Sequence, residues 1–331
     1  MDKVVIVMAA WNEAENISEM IDELYANVFP KIKAEMHLLV ADNNSTDGTT
    51  EIVQDKMKEH STLHIVQQGN KKGLGNAYIV GFEYAMEKLH ADAVMEMDAD
   101  GQHPPRFVKS MVDAYLEGAE YVIGSRYIPG GSVPAEWQLF RKLVSYFGNL
   151  YIRVVMLKLK VHDLTTGFRL MKVKGVLDQI DLGHLMEKER FAYKVDLLYQ
   201  CLKLSKKTVE VPLEFAARKT DKSKFNPKEM LATFKVATIL GIRDKARFIK
   251  FGTVGFLGYL VNALALAYFG KFSWPEPIIW AAATELAIIN NFILNNIWTF
   301  RSEKISGAKK IMLKFFQFNL TSLGALIIQT V

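Results

Sequence analysis

Short apolar runs alternate with longer amphipathic segments over the first two thirds of this 331-residue chain. The runs have the length of buried strands, and the segments between them carry apolar residues at helical spacing. Strands that alternate with helices predict a mainly parallel sheet covered on both faces, an α/β fold. The predicted strands are Val4–Met8, His37–Asp42, Leu63–Gln67, Ala93–Met97 and Tyr121–Ser125, and the predicted helices are Glu15–Val28, Thr49–Glu59, Leu74–Lys88 and Pro105–Glu117.

Charged residues become sparse after residue 247, and apolar segments long enough to cross a bilayer follow. Three spans are predicted, Phe248–Phe269, Ile278–Phe300 and Ile311–Val331, and a fourth is expected beyond them to complete a second hairpin. Basic residues cluster before the first span and between the second and third. This asymmetry predicts a multi-pass membrane protein whose N-terminal domain faces the cytoplasm.

Two segments have the pattern of helices that lie at a membrane surface. Leu139–Leu159 is largely apolar but contains four basic residues; a core helix is the alternative, and the charges favour the surface. Asn226–Ile242 is also amphipathic. The predicted organisation is a catalytic-type domain at 1–224, interfacial helices at 225–247 and a transmembrane domain at 248–331.

Composition narrows the classes of partner. The formal net charge is +5, and the basic excess flanks apolar segments, which favours an anionic membrane surface over nucleic acid. No zinc-finger spacing or basic recognition helix is present, so no nucleic-acid partner is predicted. The single cysteine, Cys201, excludes an internal disulfide framework, and the N-terminal apolar run is too short for a secretory signal.

The strongest chemical signal is a pair of carboxylates, Asp98 and Asp100, directly after the fourth predicted strand. Carboxylates at the end of an apolar strand are costly unless a cation pairs with them. Mg²⁺ and Mn²⁺ prefer such oxygen ligands and commonly carry a diphosphate. Gln102 offers a further oxygen, while His103 fits a supporting or packing role as well as a ligand role.

Polar loops follow the other predicted strands, where ligands of such sheets bind. Residues 42–49 fit either a capped turn, with Asp47 as the helix N-cap, or a nucleoside pocket in which Asp42 accepts from base or ribose. Gly73 and Gly75 match only part of the glycine motif of nicotinamide-binding sites, so they are weak evidence for such a site. The alternative is that the helix N-terminus after them lies close to a phosphate or a sugar. Arg126 is suited to bidentate phosphate binding.

Two further groups of polar residues each fit two functional roles. The basic residues at 218–224 fit lipid headgroups or the diphosphate of a donor equally well. Inside the second predicted span, Glu285 and four asparagines are either substrate contacts or polar contacts between helices, and the second interpretation is favoured.

Together these motifs resemble family 2 glycosyltransferases, most closely the dolichyl-phosphate mannose synthase group, and the tail resembles a GtrA-type membrane domain. The sequence DADGQHPP and the GSRY…GG pattern are the most specific. The resemblance implies a GT-A fold, a Rossmann-like, mainly parallel sheet. It also implies GDP-mannose as donor, a polyisoprenyl (dolichyl) phosphate as acceptor and Mg²⁺ or Mn²⁺ as cofactor.

The resemblance also implies roles for individual residues. It places Asp98, Asp100 and Gln102 as metal ligands, and Arg126, Arg141 and Ser145 at the acceptor phosphate. It assigns Asp100, Arg126, Arg218 and Lys224 to catalysis, and Ala10, Asn12, Glu13, Asp42, Asn44, Asp47, Asp98, Ala99, Asp100 and Gln102 to the nucleotide sugar. Ala9–Trp11 and Leu164 depart from the family pattern, which weakens inference about base and sugar.

The predicted function is therefore transfer of one sugar to a lipid phosphate, since the QxxRW signature of processive synthases is absent. The resemblance implies inversion at the anomeric carbon. A polyprenyl-phosphate glucose synthase that uses UDP-glucose is the alternative within the class. A lipid-sugar flippase with a regulatory nucleotide-binding domain and an inert binding module are the alternatives outside it. Turnover of nucleotide sugar with and without a lipid phosphate distinguishes them.

Overall fold

The computed structural model describes residues 1–69, 73–217, 227–303 and 305–329, and the chain divides into two compact units, Met1–Gly241 and Ile242–Val331. The strands are β1 Lys3–Ala10, β2 Glu35–Asp42, β3 Leu63–Gln67, β4 Ala93–Asp98, β5 Tyr121–Ser125, β6 Arg169–Lys172 and β7 Thr208–Pro212. The helices are α1 Ala14–Glu23, α2 Thr49–Lys56, α3 Leu74–Glu87, α4 Val108–Leu116, α5 Leu139–Val155, α6 Tyr193–Leu204, α7 Pro227–Phe269, α8 Glu276–Leu294 and α9 Ala308–Gln329.

The seven strands form one sheet in the order β3-β2-β1-β4-β6-β5-β7. All neighbouring pairs are parallel except those made by β6, which runs antiparallel between β4 and β5. The prediction of a mainly parallel sheet is confirmed. In the register, Ala10 lies opposite Asp42, and Ala9 lies opposite Asp98. The carboxyl ends of β1, β2 and β4 therefore meet at one edge of the sheet.

The core lies on both faces of this sheet. Successive residues of β1 alternate between two buried clusters, with Val5 and Val7 on one side and Val4 and Ile6 on the other. Helices α3 and α6 cover the first side, and α1 and α4 cover the second. Because both faces are covered, the central strands read as uninterrupted apolar runs, which explains why their limits could be predicted closely.

Helix α7 joins two elements that the sequence suggested were separate. The predicted interfacial helix Asn226–Ile242 and the first predicted span lie in one helix, Pro227–Phe269. The residues between them, 243–247, are Arg, Asp, Lys, Ala and Arg, and none of these breaks a helix. The domain limits at residues 224 and 247 stay a proposal.

Within the described residues, two helices are long and apolar enough to cross a membrane, Pro227–Phe269 and Glu276–Thr299. The third predicted span falls in α9 and stays a prediction. In the second unit, the Asn319 Nδ2 atom donates a 2.8 Å hydrogen bond to the Oε1 atom of Glu285 and so joins α9 to α8. This contact is of the kind expected for polar residues that associate helices.

Candidate functional site

Asp98 ends β4 and presents one carboxylate oxygen to protein donors. Its Oδ1 atom accepts hydrogen bonds from the Tyr78 hydroxyl at 2.6 Å and the Lys194 ammonium at 3.4 Å. None of the described residues donates a hydrogen bond to its Oδ2 atom. Burial raises the pKa of Asp98, but the charge of Lys194, the neighbouring His103 and the hydrogen bond from Tyr78 together outweigh burial and hold the pKa well below its ordinary value. Asp98 is therefore ionised at neutral pH.

Asp100 and Gln102 follow in a tight turn. The backbone N–H of Gln102 donates to the Oδ1 atom of Asp100 at 3.1 Å, and both side chains are largely buried. The Nδ1 atom of His103 accepts a 3.0 Å hydrogen bond from the backbone N–H of Asp98, and its ring packs near Phe168. His103 therefore supports the turn, which was one of its two predicted roles.

A cavity of about 370 Å³ opens above this turn at the carboxyl ends of the strands. Seven of the predicted site residues line it: Ala10, Glu13, Asp98, Ala99, Asp100, Gln102 and Arg126. Its other walls are Ala9, Trp11, Asn43, Leu74, Ala77, His103, Thr165, Thr166, Gly167, Phe191 and Phe215. Among the described residues, no group of three or more His, Cys, Asp or Glu side chains forms a metal site. Two carboxylates and an amide nevertheless supply the oxygen ligands that Mg²⁺ or Mn²⁺ takes together with a substrate phosphate.

The predicted residues of the β2–α2 loop build the rim of the site and do not line the cavity. Asp42 is fully buried, and its carboxylate accepts hydrogen bonds from the hydroxyls of Ser45 at 2.5 Å and Thr50 at 2.9 Å. Asp47 accepts from the backbone N–H of Ala14 at 3.0 Å. This contact ties the loop to the start of α1. The prediction of Asp47 as the helix N-cap is wrong: the N-cap of α2 is Gly48, and Asp47 lies one residue earlier, where it accepts from the backbone N–H of Thr49 at 3.1 Å. The nucleotide roles stay predictions.

Two asparagines complete the rim. The Oδ1 atom of Asn12 accepts from the backbone N–H of Thr46 at 2.9 Å, and the Nδ2 atom of Asn44 donates to the Gly69 carbonyl at 2.8 Å. Both asparagines have positive φ, 54° and 57°, a conformation that Asn tolerates better than most residues. Their described contacts hold neighbouring loops together.

Arg126 follows β5 and is held by a buried carboxylate. Its Nε and Nη2 atoms donate to Asp163 at 2.7 and 2.9 Å, and Nη2 also donates to the Thr165 hydroxyl at 2.6 Å. Burial acts to raise the pKa of Asp163, but the guanidinium outweighs it and lowers that pKa. The sequence predicts that Arg126 binds phosphate. In the structure, two of its three guanidinium nitrogens already donate hydrogen bonds to Asp163 and Thr165, and these bonds fix the position of the side chain.

A second cavity, of about 280 Å³, shares Arg126, Thr165 and Phe191 with the first. Arg141 and Ser145 of α5 line it, so the three predicted acceptor residues lie around one cavity. The guanidinium carbon of Arg141 lies 3.9 Å from the centroid of a Trp137 ring. The structure thus brings together two predicted groups that are separated in the sequence. The catalytic predictions for Arg218 and Lys224 lie outside the described residues.

The glycine motif before α3 has a packing explanation. A Cβ atom at Gly75 would lie 2.4 Å from the Lys188 carbonyl oxygen and 2.6 Å from the Tyr193 ring. A Cβ at Gly73 would similarly meet the backbone of Glu189. These glycines therefore allow the segment before α6 to approach α3 closely. The residue between them, Leu74, lines the larger cavity.

Sequence reasoning did not find Tyr78, Lys194, Asp163, Phe191 or Glu229 as parts of the site. Lys194 carried the clearest signal, because a lysine inside an apolar helical segment needs a buried partner. The partner itself is about a hundred residues away in the chain, so the spacing could not reveal it.

The fold together with two family matches shows that the chain is a glycosyltransferase with a GT-A fold and a transmembrane domain. The chain belongs to glycosyl transferase family 2, whose model matches residues 5–178, and the GtrA/DPMS transmembrane domain matches residues 250–331.

Three relatives resemble most of the chain. It is 31% identical to the dolichol-phosphate mannosyltransferase of Pyrococcus furiosus, over 95% of this chain and 85% of that protein. It is 32% identical to the polyprenol monophosphomannose synthase of Mycolicibacterium smegmatis, over 74% and 90%. It is 34% identical to the undecaprenyl-phosphate mannosyltransferase of Micrococcus luteus, over 68% and 88%.

A solved structure is similar in fold alone. Glucosyl-3-phosphoglycerate synthase of Mycobacterium tuberculosis, crystallised with Mn²⁺, UDP-glucose and phosphoglyceric acid, superposes with a TM-score of 0.53 at 17% identity. The alignment covers 72% of this chain and 80% of that chain.

Proposed function

We propose that this enzyme transfers mannose from GDP-mannose to the phosphate of a polyisoprenyl lipid, with inversion at the anomeric carbon. The three relatives named above, all mannosyltransferases or mannose synthases of polyprenol phosphates, support the sugar and the lipid. The guanine base is proposed from the family resemblance. A UDP-glucose donor is the alternative, because Ala9–Trp11 and Leu164 depart from the family pattern.

One observation carries the proposal: two cavities meet at Arg126. We assign the carboxylate-lined cavity to the donor and the cavity with Arg141 and Ser145 to the acceptor phosphate. A phosphate monoester is largely ionised at neutral pH and can attack the anomeric carbon without a protein base. The remaining task is to position the two substrates and to stabilise the charge of the departing diphosphate.

We assign Asp98, Asp100 and Gln102 as the holders of Mg²⁺ or Mn²⁺, because they offer oxygen ligands on the wall of the donor cavity. A bound cation of this kind supplies positive charge to the leaving diphosphate. Arg126, fixed by Asp163, supplies a second positive charge at the junction. Arg218 and Lys224, which lie outside the described residues, are proposed as further phosphate contacts on the resemblance alone.

Helix α5 supports a location at the membrane surface. Leu139 and Phe140 are about 70% exposed, and Phe147 and Val154 are more than half exposed. Such a row of apolar side chains is suited to the boundary between headgroups and acyl chains. A multi-pass arrangement with the catalytic unit on the cytoplasmic side is proposed from the distribution of basic residues.

The test is transfer by the full chain in detergent, with polyprenyl phosphate present or omitted. GDP-mannose, GDP-glucose, UDP-glucose and UDP-N-acetylglucosamine are compared as donors. We expect mannose transfer only with lipid phosphate present, and loss of most activity in excess EDTA or in Asp100→Asn. Asp113→Asn, at an exposed carboxylate of α4, is the matched control.

Each contrary result removes a defined part of the proposal. Full turnover in EDTA would remove the metal, faster transfer of glucose from UDP-glucose would change the donor, and binding without transfer would favour a transporter.

A further inference from the structure

Lys194 is a fully buried lysine directly behind the candidate donor cavity. Its Nζ atom lies 3.4 Å from the Oδ1 atom of Asp98, which among the described residues is the only carboxylate within 4 Å of it. The rings of Tyr78 and Phe191 have their centroids 4.8 and 5.0 Å from Nζ. The ammonium is therefore enclosed by two aromatic faces and one carboxylate, and Lys194 does not itself line the cavity.

The surrounding sequence makes room for this ammonium. A Cβ atom at Gly167 would lie 2.2 Å from Nζ, so only glycine leaves the space that the ammonium occupies. A buried lysine carries a large desolvation cost unless a carboxylate and hydrogen bonds compensate it. Because the Lys194 ammonium is enclosed beside the Asp98 carboxylate, it places a fixed positive charge next to one of the two candidate metal-binding carboxylates.

We propose that Lys194 is a positioning residue that lowers the affinity of the site for the divalent cation, so that the cation binds tightly only when the donor diphosphate is also present. The inference rests on the proposed metal role of Asp98 and Asp100. These two carboxylates alone would give the cavity a charge of about −2, and Lys194 cancels one unit of it. A dication entering beside Asp98 meets that ammonium at close range in a partly buried site.

Tyr78 separates the effect of charge from the effect of geometry. Its hydroxyl donates the shorter of the two hydrogen bonds to Oδ1, 2.6 Å against 3.4 Å for Lys194. Replacing Lys194 by a neutral side chain therefore leaves Asp98 oriented and removes mainly the opposing charge. Replacing Tyr78 by phenylalanine removes the stronger orienting contact and keeps the charge.

The consequence is coupled binding of metal and nucleotide. The negative charge of a diphosphate attracts the cation and outweighs the opposing charge of Lys194, so each ligand strengthens binding of the other. Coupling of this kind is reciprocal between the two ligands. After transfer, loss of the nucleoside diphosphate would lower the affinity for the cation and favour release of both.

The experiment measures Mn²⁺ affinity of the full chain in detergent by electron paramagnetic resonance, with no nucleotide and then with saturating GDP or, separately, UDP. We expect Lys194→Met and Lys194→Gln to bind Mn²⁺ about tenfold or more tightly without nucleotide. The gain in affinity on adding nucleotide, which comes from attraction between the cation and the diphosphate, should remain in both variants. Tyr78→Phe should bind Mn²⁺ no more tightly than the parent. Thermal unfolding of each variant confirms that it is folded.

Unchanged or weaker Mn²⁺ binding in both folded Lys194 variants would overturn the inference and leave the proposed function intact. If the parent binds no Mn²⁺ even with nucleotide, the metal proposal itself fails. The two failures are therefore distinguishable, and neither depends on measuring turnover.

Discussion

Replacing Asp163 by asparagine tests whether Arg126 is held as the structure shows. Arg126 is about 9% exposed, Asp163 is fully buried, and two hydrogen bonds of 2.7 and 2.9 Å join their side chains. Removing one partner of such a pair leaves the other charge buried without compensation. Losses of this kind are about 3–5 kcal/mol in the free energy of unfolding. We expect Asp163→Asn to fall in that range and to impair transfer as well.

An exposed ion pair in the same unit provides the matched control. Arg106 and Glu214 approach to 2.8 Å, but their side chains are 62% and 56% exposed. Water screens such a pair, so Glu214→Gln should cost less than about 1 kcal/mol. The assay is unfolding of the full chain in detergent by guanidinium chloride, with circular dichroism as the signal. Equal losses in the two variants would refute the inference that burial makes the Arg126–Asp163 pair important.

The same pair has a predicted pH dependence. The pKa of Asp163 is lowered in the folded protein, so its stabilising contribution is complete above the unfolded pKa of about 3.9. It is lost as the pH falls below that value and through the folded pKa. The stability difference between parent and Asp163→Asn should therefore be constant near neutral pH and shrink below about pH 4. A difference that persists unchanged in acid would indicate that packing, and not charge, holds Arg126.

Two other changes test the acceptor cavity and the core. Arg141→Ala should lower kcat/KM for polyprenyl phosphate about tenfold or more, through loss of a charged hydrogen bond, while donor binding by calorimetry stays unchanged; the opposite pattern would reassign Arg141 to the donor. Phe82→Ala should lower the free energy of unfolding by about 3–5 kcal/mol, because Phe82 is fully buried between α3 and the sheet. A loss below 1 kcal/mol there would contradict the packing described.

The strands and the position of the carboxylates could be predicted because both depend on local sequence. Leu63–Gln67 and Tyr121–Ser125 were predicted with the limits that the structure shows. Tyr121–Ser125 is buried along its whole length, whereas Leu63–Gln67 is a partly buried edge strand that contains His64. Both runs end in polar or turn-forming residues, which mark their limits. Asp98 and Asp100 stood out since ionised side chains are rare at such an end without a partner.

The contacts that fix the site could not be predicted, because each joins residues distant in the chain. Arg126 and Asp163 are 37 residues apart, and Lys194 and Asp98 are 96 apart. Asp98 and Arg126 stood out by their own chemistry, but nothing in the local sequence identifies Lys194 and Asp163 as their partners. Only the folded structure shows that Asp163 accepts two hydrogen bonds from the Arg126 guanidinium. It also shows that the Oδ1 atom of Asp98 already accepts hydrogen bonds from protein side chains.

Helix α5 connects the acceptor cavity to the apolar surface through its two faces. Val144, Ser145 and Gly148 line the cavity, and they follow the three- and four-residue spacing of a single helical face. Phe140 and Phe147, which are seven residues apart, lie exposed beside this face, four and three residues from Val144. A lipid whose chain contacts these exposed side chains therefore meets the cavity-lining side of the same helix next to them. We infer that the helix needs no rearrangement to present a membrane lipid to the site, because its periodicity alone places headgroup contacts and chain contacts on adjoining surfaces.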